Sequence, residues 1–175
     1  MITIIFEAHG TTYDNEQHLS SGWNDVELSE RGIEQSKELG ERYKDDQFDA
    51  IFTSDLKRAY DTAEIAFEDR FKIITDERLR ECNYGDFTQQ PSEIVDVEKP
   101  RRIYDRFPNG ESYEETTIRM KEFLEELREN YSGKKIMIIG HRATQYGLDY
   151  LIKGISLEEL ASTPFKWQPG WEYNF

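Results

Sequence analysis

The chain has 175 residues and a formal net charge of −14, a length that suits one domain (1–175) burying about 70% of its unfolded surface. With 37% hydrophobic and 13% aromatic residues it can fill a core, so global disorder is excluded. The acidic balance excludes nucleic acid and anionic membranes as partners, since both attract basic surfaces, while the single cysteine, Cys82, excludes an intrachain disulfide and any Cys-rich metal site. The first element is the apolar run "ITIIF" (2–6), which ends in Glu7, Ala8, His9 and Gly10. It is too short for a signal-peptide core, and no stretch approaches the ~20 apolar residues of a membrane span. The expectation is a soluble, cytoplasmic protein.

A helical pattern follows in "SERGIEQSKELGERY", with Ile33, Leu39 and Tyr43 on one face. "DAIFTS" (49–54) reads as a second strand and leads into a helix with Ala59, Ala63 and Ala66 on one face. "FKIIT" (71–75) is a further strand candidate. Residues 76–112 break the rhythm with three prolines and little periodicity, and read as a long loop, functional or disordered. The helix over 113–131 is the clearest, with Met120, Phe123, Leu124, Leu127 and Tyr131 at helical spacing and Ser112 and Glu115 as a capping-box pair. "KIMIIG" (135–140) is the next strand. Near-continuous apolar runs suit strands buried on both faces. Alternation with helices predicts an α/β fold of three α/β/α layers on a mainly parallel sheet. In the tail, Phe165, Trp167, Trp171, Tyr173 and Phe175 fall on alternate positions. They read as a late edge strand over the core; the alternative is an aromatic contact between subunits of a homodimer.

Ligands in open α/β sheets bind beyond the carboxyl ends of the strands. His9-Gly10 follows the first strand, Ser54 and then Arg58 the second, and His141-Arg142 the "KIMIIG" strand. Three junctions therefore deliver two histidines and an arginine to one sheet edge, where helix N-termini add N–H groups suited to an anion. Each residue alone has an ordinary alternative: a structural histidine, or a surface arginine. His18 lies in a polar loop and reads as solvated. A metal is disfavoured, because Arg58 repels a cation and neither H-E-x-x-H nor a cysteine pair is present. Walker A, G-x-G-x-x-G and G-x-S-x-G patterns are absent too.

Six segments in order resemble the histidine phosphatase superfamily, the phosphoglycerate mutase-like proteins. "AHGTTYDN" is similar to that family's opening Arg-His-Gly-Glu-Thr followed by Asn. "SSGWNDVELSERG" resembles Ser-Gly-Trp-x-Asp-x-x-Leu-Ser-x-x-Gly, and "SDLKRAYDTA" its Ser-x-Leu-x-Arg-Ala-x-x-Thr-Ala helix. "ERLRECNYGDF", "FPNGESYEE" and "IMIIGHRATQYGL" resemble the acid, Pro-x-Gly-Glu-Ser and second-histidine segments. The resemblance implies that His9 becomes phosphohistidine, that Arg58 clamps the phosphoryl group, and that His141 stabilises its charge. It implies Glu81 as the acid for the leaving oxygen, and Gly10, Asn15 and Ser21 as phosphate or substrate contacts. A histidine nucleophile splits the transfer into two easier steps. It must be neutral at the attacking nitrogen, with the other nitrogen held by an acceptor such as the Gly10 backbone. The chemistry requires no metal and no cofactor.

Three positions depart from the pattern. Ala8 stands where the family has arginine, Thr11 where glutamate is common, and Arg142 where glycine is common. The loss at position 8 removes one bidentate phosphate contact. A rebuilt pocket, an engineered substitution and a degenerate enzyme are the competing explanations, and Arg142 is the candidate replacement cation. Lys99, Arg101, Arg102 and Arg106 crowd the 88–110 segment, which is expected to form a lid over the leaving group. Only 34 residues follow His141, which favours a phosphatase of small phosphomonoesters over a mutase that shields its phosphoenzyme. A weakly active ligand- or protein-binding domain is the other alternative.

Overall fold

The computed structural model describes residues 1–175, and its order follows from where apolar runs meet turn residues. The first run forms strand β1 (Thr3–Ala8), which ends two residues beyond the apolar stretch. After a one-turn helix α1 (Tyr13–Glu16) comes α2 (Glu30–Arg42), then β2 (Ala50–Thr53), α3 (Lys57–Phe67) and β3 (Ile73–Thr75). Helix α4 (Ser92–Glu98) precedes the long α5 (Tyr113–Asn130), then β4 (Lys135–Gly140), α6 (Arg142–Leu148), α7 (Leu157–Ser162) and β5 (Trp171–Asn174). The sheet order is β3-β2-β4-β1-β5. The first four are parallel, and β5 runs antiparallel along β1, pairing Phe6 with Trp171. The expected three-layer α/β fold and late edge strand are therefore present.

Successive strand residues face opposite layers. Ile4, Phe6, Ile136 and Ile138 pack with Met120, Phe123, Leu124 and Leu127 of α5. Ile5, Ile51, Met137 and Ile139 pack on the other face against Leu39, Ala63, Ala66 and Phe67. The predicted capping box of Ser112 and Glu115 starts α5.

Three expectations need correction. The buried face of α2 is Gly32, Ser36, Leu39 and Gly40, whereas Ile33 is exposed. Small residues are required there because α2 lies against the loop after β1: a Cβ on Gly32 would sit 2.0 Å from the Thr11 carbonyl, and one on Gly10 2.6 Å from the Gly32 carbonyl. The 76–112 stretch is not a bare loop, since it contains α4 and several 3-10 turns. Phe165 and Trp167 lie outside the edge strand, in the irregular segment between α7 and β5. No helix is long and apolar enough to cross a membrane.

Candidate active site

The carboxyl ends of β1 and β4 and the N-terminal half of α3 meet at a cavity of about 630 Å³. His9, Arg58, Glu81, His141, Arg142, Gly10, Asn15 and Ser21 all line it, so every residue singled out as a site residue reaches the same place. Ala8 lines it as well.

His9 follows the last residue of β1, its N–H donating to the Gly140 carbonyl at 3.1 Å. Nδ1 lies 2.7 Å from the Gly10 carbonyl. A carbonyl only accepts, so Nδ1 carries the proton and Nε2 keeps its lone pair. Burial first, and then the Arg58 charge, lower the His9 pKa from 6.5 to about 3, against the opposite pull of the Gly10 carbonyl. The ring is neutral near pH 7. Gly10 itself is fully engaged: its N–H donates to Thr62 Oγ1 at 2.9 Å, and Thr62 Oγ1 donates to the Arg58 carbonyl at 2.7 Å. Gly10 thus orients His9 and ties it to α3, with no main-chain group left for an anion.

Arg58 is 2% exposed. Its terminal nitrogens donate to the Gly22 and Asn24 carbonyls at 2.8 and 3.2 Å, which fixes the guanidinium against the loop before α2. Burial lowers its pKa, while Glu81, Tyr84, Asp25 and Asp14 oppose the shift. His141 stands with its ring centroid 5.1 Å from that of His9. Its Nε2 is 2.7 Å from Ser54 Oγ, and its buried Nδ1 has no partner. Burial, Arg58 and His9 hold its pKa well below the usual histidine value.

Glu81 pairs with neither neighbouring arginine: Arg80 binds Asp55, and Arg78 binds Asp76 and Glu126. Instead Oε1 accepts from the Cys82 and Ala143 N–H groups at 2.8 and 3.1 Å, and Oε2 from the Arg142 N–H at 3.2 Å. Its carboxylate caps the start of α6, and Trp23 and Arg119 clamp its main-chain carbonyl. Asn15 is exposed and uses Oδ1 in the capping box of α1. The buried Ser21 hydroxyl donates to Asp14 at 2.9 Å. Arg142 lines the cavity but also bonds Asp96 at 3.2 Å and covers the Phe165 ring at 5.0 Å.

The 88–110 segment borders the cavity through Ser92, Asp96 and Lys99; of its four basic residues only Lys99 lines it, buried and bonded to Asp96. Arg101 faces Asp105, Arg102 binds Glu98 at 2.6 Å, and Arg106 binds Glu115. Acids four residues away claim the first two before any ligand does. Ser54, Thr62 and Asp14 received no role in the sequence reading. Thr62 was visible in the Thr-Ala motif, and Ser54 at the end of β2, but neither partner could be read from spacing.

Two neutral histidines, His141 buried and His9 half-buried, make stability depend on pH. Both folded-state pKa values lie below the ordinary 6.5, so between those values the unfolded chain binds more protons. Their contribution is complete above about pH 6.5 and is lost as pH falls below it, down to about 3 for His9. The slope is about 1.4 kcal/mol per pH unit for each histidine. Denaturant titrations of wild type and His9→Asn/His141→Asn between pH 7 and 5 should show a shallower slope for the variant. Equal slopes would contradict the assignment.

The model of the histidine phosphatase superfamily (branch 1) matches residues 4–167. A protein described as uncharacterized phosphatase PhoE, from Bacillus subtilis (strain 168), is 36% identical over 155 residues, covering 88% of this chain and 79% of that one. A phosphoglycerate mutase of Schizosaccharomyces pombe is 31% identical over 173 residues, covering 90% and 82%. The solved structure of Bacillus stearothermophilus YhfR superposes with a TM-score of 0.83 at 29% identity, covering 95% of this chain and 87% of that one. With two histidines, an arginine and a glutamate gathered at the ends of parallel strands, the chain belongs to the histidine phosphatase superfamily.

Proposed function

We propose that the protein hydrolyses small phosphomonoesters through a phosphohistidine at His9. The observation that carries this reading is the Nδ1 bond to the Gly10 carbonyl, which leaves a neutral Nε2 beside Arg58 and His141. Nε2 attacks phosphorus, an N–P bond forms, and the P–O bond to the leaving group breaks. The leaving oxygen takes a proton from Glu81, whose Oε2 accepts only one N–H and keeps room for it. Water then attacks phosphorus, Glu81 recovers a proton, and the N–P bond breaks. The remaining Arg58 N–H groups and the free His141 Nδ1 meet the charge on the phosphoryl oxygens, the main demand of phosphoryl transfer. Asn15 offers its amide NH2 at the rim, and Ser21 with Asp14 holds the loop before Arg58's carbonyl partners.

Hydrolysis is favoured over mutase chemistry by access. The cavity reaches solvent at Trp167, which is 59% exposed, so water can enter after the leaving group departs. Phosphate release from a panel of monoesters tests the reading; a phosphoenzyme with no turnover would favour the mutase or a binding domain.

Arg142 partly replaces the arginine missing at position 8. It enters from the start of α6 and needs only to exchange Asp96 for a phosphoryl oxygen. Arg142→Ala is expected to weaken inorganic phosphate binding by about 1.5–3 kcal/mol, and Ala8→Arg to restore part of the loss. Unchanged affinity in Arg142→Ala would remove Arg142 from the site.

A further inference from the structure

The cavity is several times larger than a phosphoryl group requires, and its distant part is built differently from its floor. One wall is a stripe of α2. Arg31, Gln35, Glu38 and Arg42 are spaced by four, three and four residues, which places them on one helix face, and all line the cavity. The facing wall is the segment 163–170, which carries Phe165 and Trp167.

That segment is fixed at both rings and at its end. The Arg142 guanidinium lies 5.0 Å from the Phe165 centroid, and that of Arg42 lies 5.8 Å from Trp167. Phe165 also packs on Trp171 at 6.1 Å. Glu7, 2% exposed, accepts bonds from Arg42 and the Tyr43 hydroxyl, both at 2.8 Å, and from the Gly170 main chain. Gly170 has φ +59, and a Cβ there would lie 2.6 Å from the Tyr43 oxygen. The rings are held in place yet remain 36% and 59% exposed. Ordered, half-open aromatic rings inside a polar cavity are the usual furniture of a site for a planar ligand.

We infer that this wall is a leaving-group subsite for a phosphomonoester bearing a heteroaromatic ring, of the nucleoside monophosphate class. The inference rests on the phosphatase reading and narrows its substrate. The ring stacks on Trp167 and Phe165, and its polar edge meets Gln35 and Glu38. Gln35 Oε1 already accepts the Thr11 N–H at 2.8 Å, so its NH2 is the donor available to the ligand. Arg142 joins the two ends of the site: its N–H touches the proposed acid, Glu81, and its guanidinium covers Phe165. A leaving group departing at Glu81 is thereby led toward the rings.

The test compares adenosine 5′-monophosphate with glycerol phosphate in wild type, Phe165→Ala and Trp167→Ala, and follows tryptophan fluorescence during nucleotide titration. Wild type should prefer the nucleotide. Trp167→Ala should raise its KM about tenfold, as loss of a base-stacking ring does, and leave glycerol phosphate kinetics unchanged. The fluorescence quench should vanish with Trp167. Equal kcat/KM for both substrates, unmoved by either substitution, would overturn the subsite while the phosphatase reading stands. If neither substrate released phosphate, the phosphatase reading would fall, and the quench alone would decide ring binding: its loss in Trp167→Ala supports the wall, its absence in wild type refutes it. A change of oligomeric state in Trp167→Ala with KM unmoved would show the rings to be a contact between copies, against the proposal.

Discussion

His9→Ala should lower phosphate release by at least ~10³-fold while the variant remains folded and still binds phosphate. The loss is large because no other group can take over the attack. His141 is 2% exposed, with Nε2 engaged by Ser54 Oγ at 2.7 Å and Nδ1 buried. Ser54 is buried and does not line the cavity. The Arg58 and Arg142 side chains persist in the variant, so the anion site persists with them. Folding should tolerate the change, since His9 is a half-buried residue on a cavity floor and its one side-chain bond is local. Assays on several monoesters should show the same residual rate, because what is lost is common to all. A variant retaining more than a few per cent of activity would show that His9 is not the nucleophile.

Glu81→Gln should separate substrates by leaving group. With glycerol phosphate the rate should fall by about 10²–10⁴-fold, the usual contribution of a positioned acid. With p-nitrophenyl phosphate it should fall only a few-fold, because nitrophenolate leaves without a proton. The substitution is conservative in shape. The glutamine oxygen can keep the N–H groups of Cys82 and Ala143, and only the Arg142 N–H loses its acceptor. Equal losses on both substrates would assign Glu81 to holding α6 rather than to proton transfer.

The sequence showed the fold where hydrophobic pattern dominates. β1, β2, β4 and α5 are long apolar or strongly periodic segments, and they stand where expected. It misled where packing depends on small residues: α2 buries Gly32 against the loop after β1 and Gly40 against α3, and no hydrophobic periodicity reports such contacts. Helix α4 was hidden by Pro91 and Pro100, which flank it and made the segment read as loop. The site was legible to the extent that parallel strands deliver their ends to one edge. That placed His9, Arg58 and His141 together before any distance was known. Glu81 came only from the resemblance, because it follows a 3-10 turn and no strand. The charge cluster at 99–106 was over-read for a physical reason: Arg101, Arg102 and Arg106 are met by Asp105, Glu98 and Glu115, and only Lys99 of the four lines the cavity. The Ser54–His141 and Gly10–Thr62–Arg58 links join residues 87, 52 and 4 apart in the chain, and two of those three separations lie beyond any local pattern.

The central claim is that phosphate passes through His9, and trapping the intermediate tests it most directly. Wild type mixed with a ³²P-labelled monoester and quenched in alkali should yield labelled protein. The label should survive base, be lost in acid as a phosphoramidate is, and map to the peptide containing His9. It should be absent from His9→Ala and accumulate in any variant that slows the water step. A label on another residue, or turnover by wild type with no acid-labile adduct at the shortest quench times and the same rate in His9→Ala, would contradict the account.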